Sequence, residues 1–178
     1  MASGPNPLHM ETLHQIDSAF LVFAADGAVQ SVFSTMVGHR TRILHQTVPD
    51  QWTLAFDEIH VVGIVGAEGR INGQIHLCFN LPFAEFCASR VLSLSVQKLT
   101  GTGAALVDDV VAELTNKTLG AFKNQLVELG LPCRIKLPAV RRGREFILDQ
   151  IPDAIRRQYR FDVAGHELTA DIVLTAGE

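Results

Sequence analysis

Apolar residues recur at helical spacing over one long stretch, roughly Gly103 to Gly130. Val107, Val110, Val111, Leu114, Ala121 and Phe122 share a face there, as expected of an amphipathic helix. Gly130-Leu-Pro132 ends it, with the glycine as a C-cap signal. A second helical region runs from Glu11 to Gly38, with Val29, Val32, Phe33 and Met36 in register and a break predicted at Ala25-Asp26-Gly27. A short helix is predicted over Phe83 to Val96. Strand patterns lie between and after these. Phe56 to Val65 is apolar and β-branched, and Gly66 to Gly69 reads as a turn. Ile71, Gly73, Ile75, Leu77 and Phe79 then alternate with polar positions, which makes the pair a hairpin. Further strands are expected at Cys133 to Leu137, Arg144 to Leu148, Tyr159 to Val163 and Leu168 to Leu174, the last two joined at Ala164-Gly165-His166. This order predicts an α+β fold, a largely antiparallel sheet packed against one long helix and shorter ones. The expected organisation is a flexible tail, 1–10, and a single domain, 11–178.

Composition narrows the function. The chain has 178 residues, 47% hydrophobic and 19% charged, with a net charge of -4. That weak acidic balance disfavours nucleic-acid binding, which needs a concentrated basic surface. No signal-peptide pattern opens the sequence, and the pattern predicts no apolar stretch of the roughly 18 residues of a membrane span. Cys78, Cys87 and Cys133 are scattered and odd in number, so they read as reduced, buried thiols of a cytoplasmic protein. The seven histidines show no HxH, HxxxH or HExxH spacing, which argues against a metal site. Cys78 has no readable base to make it a nucleophile. Arg141-Arg142-Gly143-Arg144 and Arg156-Arg157 read as solvated strand ends or turns, and an exposed edge within Tyr159 to Leu174 as a place for a second copy to pair.

The candidate chemistry lies on the polar side of the long helix. Residues i, i+4 and i+7 stack on one stripe, so Asp109, Glu113 and Asn116 point the same way and Gly120 extends the stripe. Asn costs a few tenths of a kcal/mol in mid-helix and Gly about 1 kcal/mol, relative to Ala. Two helix-unfriendly residues beside two acids point to selection for something other than stability.

The segment Asp109-xxx-Glu113-xx-Asn116-xxx-Gly120-xx-Lys123 resembles the signature helix of the chemotaxis phosphatases CheX, CheC and FliY. Val32-Phe-Ser-Thr-Met-Val-Gly38 is similar to the first helix of the CheX branch, and Gly73 to Phe79 running into Ala84 to Ala88 is similar to its strand-to-helix passage. Pro138 falls one residue short of the CheC spacing. Roughly residues 28 to 175 follow the family's order of elements. The resemblance implies hydrolysis of the aspartyl phosphate on a CheY-like receiver domain. It gives Asn116 the attacking water and Glu113 the receiver's active-site Lys. Asp109, Gly120 and Lys123 take supporting places, with Gly120 leaving clearance. It also implies no metal of the chain's own, the Mg2+ belonging to the receiver, and therefore no deep pocket in this chain. CheC-type chains carry the motif twice; here the first helix offers Ser31, Ser34, Thr35 and His39 instead, which implies one site, as in the dimeric CheX branch. The alternative is a catalytically silent adaptor or structural module that binds a signalling partner.

Overall fold

The computed structural model of the protein describes residues 13–177. The expected tail, 1–10, lies outside them. Seven antiparallel strands form one sheet: β1 (Thr41–Thr47), β2 (Thr53–Gly69), β3 (Ile71–Asn80), β4 (Cys133–Ile135), β5 (Ala139–Ile147), β6 (Ile155–Val163) and β7 (His166–Ala176). Their order is β1-β6-β7-β3-β2-β4, with β5 also paired to β2. The helices are α1 (Ser18–Val32), which continues as a π turn over Phe33–Val37, α2 (Leu81–Leu92), the single turn α3 (Val96–Leu99) and α4 (Ala104–Glu128). The α+β expectation therefore holds.

Alternation decides which sheet face is buried against what. Ile71, Ile75, Leu77 and Phe79 of β3, with Leu168, Ala170, Ile172 and Leu174 of β7, join the main core beneath the helices. Their neighbours Cys78, His76, Thr169 and Asp171 point to the rear, where a smaller cluster of Leu54, Val62 and Cys78 is covered by Phe56, Phe146 and Leu148. The predicted hairpin is present, with Val61 opposite Phe79 and Ala67 opposite Gly73. Its turn comes later than expected, because Gly66 to Gly69 remain in β2 and pair with β3 and β4. At the other end, Ala164 and Gly165, with φ 53° and 83°, make the tight turn between β6 and β7.

Several expectations are corrected. No break occurs at Ala25-Asp26-Gly27. Leu21, Ala24, Ala25, Ala28, Val29 and Val32 are buried along one face. Burying Leu21, Val29 and Val32 at roughly 1.5–3 kcal/mol each outweighs the about 1 kcal/mol of a mid-helix glycine. The interruption comes earlier instead: Leu13 and His14 are helical, the chain leaves the helix over 15–17, and Asp17 caps α1 by accepting from the Phe20 amide at 2.7 Å, while residues 11 and 12 lie outside the described ones. Unbroken, Ser18–Val37 is 20 residues with a mean hydropathy of 1.5, long and apolar enough by composition to cross a membrane. In this fold 44% of that apolar window is buried, and it packs against α4 and the sheet. Strand β1 was not anticipated, β4 stops at Ile135, and Leu137 stands 93% exposed. Strands β6 and β7 are interior rather than an edge, with Tyr159, Phe161 and Leu174 buried.

Arg156 is likewise not solvated. It is 4% exposed, with Nε 3.0 Å from Asp171 Oδ1, and His76 Nδ1 lies 3.3 Å from Asp171 Oδ2. Its Nη1 donates to the Gln51 carbonyl at 2.6 Å, and the guanidinium sits over the Trp52 ring at 5.1 Å. This paired, buried charge staples the β1–β2 connection to the rear of the sheet. Arg142 is also engaged, 2.8 Å from Asp108 and donating to the Ala104 carbonyl at 3.1 Å, where it ties β5 to the start of α4.

Candidate functional site

Helix α4 owes its place to a narrow contact with β2. A Cβ on Gly63 would run into Thr115 Oγ1 and lie 2.9 Å from Thr115 Cβ and 3.1 Å from Val111 Cγ1, so only glycine lets the sheet come this close under the middle of the helix. Thr115 and Thr118 are fully buried, and each satisfies its hydroxyl within the helix: Thr115 Oγ1 donates to Val111 O at 2.7 Å and Thr118 Oγ1 to Leu114 O at 2.8 Å. With Val107, Val110, Val111, Leu114, Leu119, Phe122 and Leu126 buried, one side of the helix is committed to the core. The opposite side is left to solvent.

On that side the structure brings together every residue predicted for the site. Asp109 and Glu113 are exposed, while Asn116, Gly120 and Lys123 are half-buried. From Asp109 to Asn116 the rise is about 10 Å along one rigid element. Among the described residues the Asn116 carboxamide and the Asp109 carboxylate make no side-chain hydrogen bond or ion pair. The Glu113 carboxylate does: Lys117 Nζ lies 3.7 Å from Oε1, with both side chains about half exposed. Lys117 escaped the sequence reading, although a Glu followed four residues later by Lys is a recognisable helical pair. Gly63 escaped it too, since nothing in a strand pattern tells which glycine lies under a helix.

A Cβ on Gly120 would meet only Ile135 Cδ1, at an ordinary 3.7 Å. The fold itself does not need glycine there.

Other candidate chemistry is absent from the stripe. The thiols of Cys78, Cys87 and Cys133 are free, and burial pushes all three above the ordinary thiol range, which makes them poor nucleophiles. Among the described residues no three of His, Cys, Asp and Glu cluster as metal ligands. A cleft of about 590 Å³ lies at the rear of the sheet, lined by His76, Lys136, Arg141 and Leu148 among others, and includes no residue of the stripe. The stripe is a solvent-facing polar surface that presents the Asn116 carboxamide and the Glu113 carboxylate to another macromolecule.

The sequence profile of the chemotaxis phosphatase CheX matches residues 61–157, more than half of the chain. The chain belongs to the CheX family. The matched segment runs from the middle of β2 into β6 and contains all of α4. Solved structures agree on the fold. CheX of Desulfovibrio desulfuricans is 21% identical, with 86% of this chain and 98% of that one covered at a TM-score of 0.74. CheX of Vibrio vulnificus is 19% identical, with 88% and 99% covered at 0.71. A structure of a CheX–CheY complex with BeF3 and Mg2+ from Borrelia burgdorferi is 17% identical, with 88% and 97% covered at 0.64. A comparison with curated protein sequences returns no match.

Proposed function

We propose that this CheX-family chain hydrolyses the aspartyl phosphate of a CheY-like receiver domain, with Asn116 and Glu113 as its contribution to a joint active site. The observation that carries this reading is the Asn116 carboxamide, without a side-chain partner among the described residues, one turn from the Glu113 carboxylate on the solvent side of α4. In the reaction, the oxygen of a water attacks phosphorus and the bond from phosphorus to the receiver's aspartyl oxygen breaks. A receiver carboxylate and inorganic phosphate result, the water's proton leaving with the phosphate or to solvent. Such a transfer asks a protein mainly for positioning and charge placement. The Asn116 carboxamide oxygen accepts from the water and its NH2 can donate, so it orients the water without being consumed. Glu113 receives the receiver's active-site lysine in a charge-assisted hydrogen bond that fixes the register of the two proteins. Asp109 and Lys123 border the contact, and Gly120 leaves room for the receiver's loops.

The metal in this reading is the receiver's Mg2+, and the chain brings none. Recognition of CheY by the Borrelia CheX supports the choice of partner. The chain is proposed to act in the cytoplasm, where such receivers are phosphorylated, and to pair with a second copy. The β5 edge, unpaired on its outer side among the described residues and flanked by Leu137 and Ile147 at 93% and 81% exposure, suits that pairing. The test is phosphate release from phosphorylated receivers with and without the protein. Faster decay of at least one receiver is expected. Decay of every cognate receiver at its intrinsic rate, with complex formation intact, would leave a silent adaptor in place of an enzyme.

A further inference from the structure

Glu113 is already engaged before any receiver arrives. Lys117 Nζ stands 3.7 Å from its Oε1 in the favourable order, Glu before Lys at i,i+4. At about 100° per residue, Asn116 and Lys117 lie on opposite sides of Glu113, so the pair draws the carboxylate away from the asparagine. Lys117 has no other ion-pair partner among the described residues. It therefore offers Glu113 the same chemical group, an ammonium, that a receiver's lysine would offer. We propose that Lys117 is a positioning residue that parks Glu113 in the free protein and must be exchanged for the receiver's lysine on docking. The proposal rests on the phosphatase reading.

An exposed intrahelical pair is weak and screened by salt. Weakness suits the role, because a strong pair would block exchange and none would leave the carboxylate free to swing. Lys117 also adds a like charge close to where the receiver's lysine must sit, so it opposes docking twice. Its removal acts on the affinity term, while Asn116 and the water it holds are untouched.

Two measurements decide the matter. The first reads the parked pair without a receiver, as a double-mutant cycle on unfolding with Glu113→Gln and Lys117→Gln. A favourable coupling that shrinks with added salt is expected, and zero coupling overturns the parking. The second is the Kd for a CheY-like receiver loaded with beryllofluoride and Mg2+, together with kcat and KM on the phosphorylated form. Lys117→Gln should tighten Kd and lower KM by about two- to fivefold with kcat unchanged, and Lys117→Arg should match wild type. Unchanged or weaker binding by Lys117→Gln overturns the proposal; weaker binding would mean that Lys117 itself grips the receiver. A wild-type protein that binds no receiver, with the coupling intact, would instead sink the phosphatase reading beneath it.

Discussion

Helices α1 and α4 pack against each other on the same face of the sheet, and each carries a glycine in mid-helix that its own fold does not require. Gly27 meets nothing within 4 Å of an added Cβ, and Gly120 meets only Ile135 Cδ1 at 3.7 Å. Each glycine costs its helix about 1 kcal/mol relative to alanine. The company they keep differs. Around Gly120 stand Asp109, Glu113 and Asn116, of which, among the described residues, only Glu113 has a side-chain partner, and a weak one. Around Gly27 stand Phe23, Ser31 and Ser34, and Ser34 returns its hydroxyl to the Ser31 carbonyl at 3.3 Å. A bare position on a helix is not by itself a site. Hydrogen-bonding groups left unspent beside it are what distinguish α4.

The largest expected effect tests that distinction directly. Asn116→Ala should lower kcat on a phosphorylated receiver by about 10²–10³-fold, the usual loss when one preorganised transition-state contact is removed. The same change at Ser34 should leave kcat within about twofold. Thermal unfolding should scarcely move for Asn116→Ala, because the side chain makes no hydrogen bond among the described residues and alanine is the better helix former. If Asn116→Ala dephosphorylates as fast as wild type, α4 loses its claim over α1.

Next in size is Glu113→Ala. A charge-assisted hydrogen bond is worth roughly 1.5–3 kcal/mol when desolvated, and Glu113 sits at the exposed end of that range, its side chain 49% accessible. About a tenfold rise in KM is expected, with a smaller fall in kcat, read by steady-state phosphate release. A fall in kcat with KM unchanged would move Glu113 from docking to the chemical step.

Why the α4 stripe was legible in the sequence, and much else was not, follows from which forces are local. Asn116 and Gly120 stood out because each opposes helix propensity within its own segment. The β2–β3 hairpin stood out because its alternation is regular over Ile71 to Phe79. Strand β1 did not, since it is an edge with a mostly exposed pattern and a register shift between Ile43 and His45. Strand β5 was only half found, because its pairing with β2 also slips, between Ala55 and His60, and its arginines hide the period. The misplaced break at Asp26-Gly27 shows packing overriding propensity. The burial of Arg156 is invisible in its own segment because it depends on Asp171 and His76, which only the sheet brings alongside it. Contacts distant in sequence leave no mark in a local pattern.

Gly120→Ala separates stability from function within α4. Its Cβ finds ordinary contact, so the helix should gain about 0.5–1 kcal/mol, raising Tm by about 1–4 °C in a domain of this size. Receiver dephosphorylation should fall nonetheless, by about tenfold in kcat/KM, if the receiver's loops approach the bare backbone. A variant that is both more stable and fully active would show that Gly120 is no clearance, and the stripe would shrink to Glu113 and Asn116.

The smallest expected effect is the mirror of that one. Gly27→Ala places a methyl in open space on an exposed helix position, so the same gain of about 0.5–1 kcal/mol should appear in unfolding. No change in kcat or KM should accompany it, because nothing on the α1 stripe is assigned to the receiver. The pair of alanine variants thus holds the stability gain constant and varies only the helix. A loss of receiver affinity in Gly27→Ala, with Tm raised as expected, would extend the docking surface across to α1. It would then place the exposed ring of Phe23, 67% accessible one turn before Gly27, inside that surface.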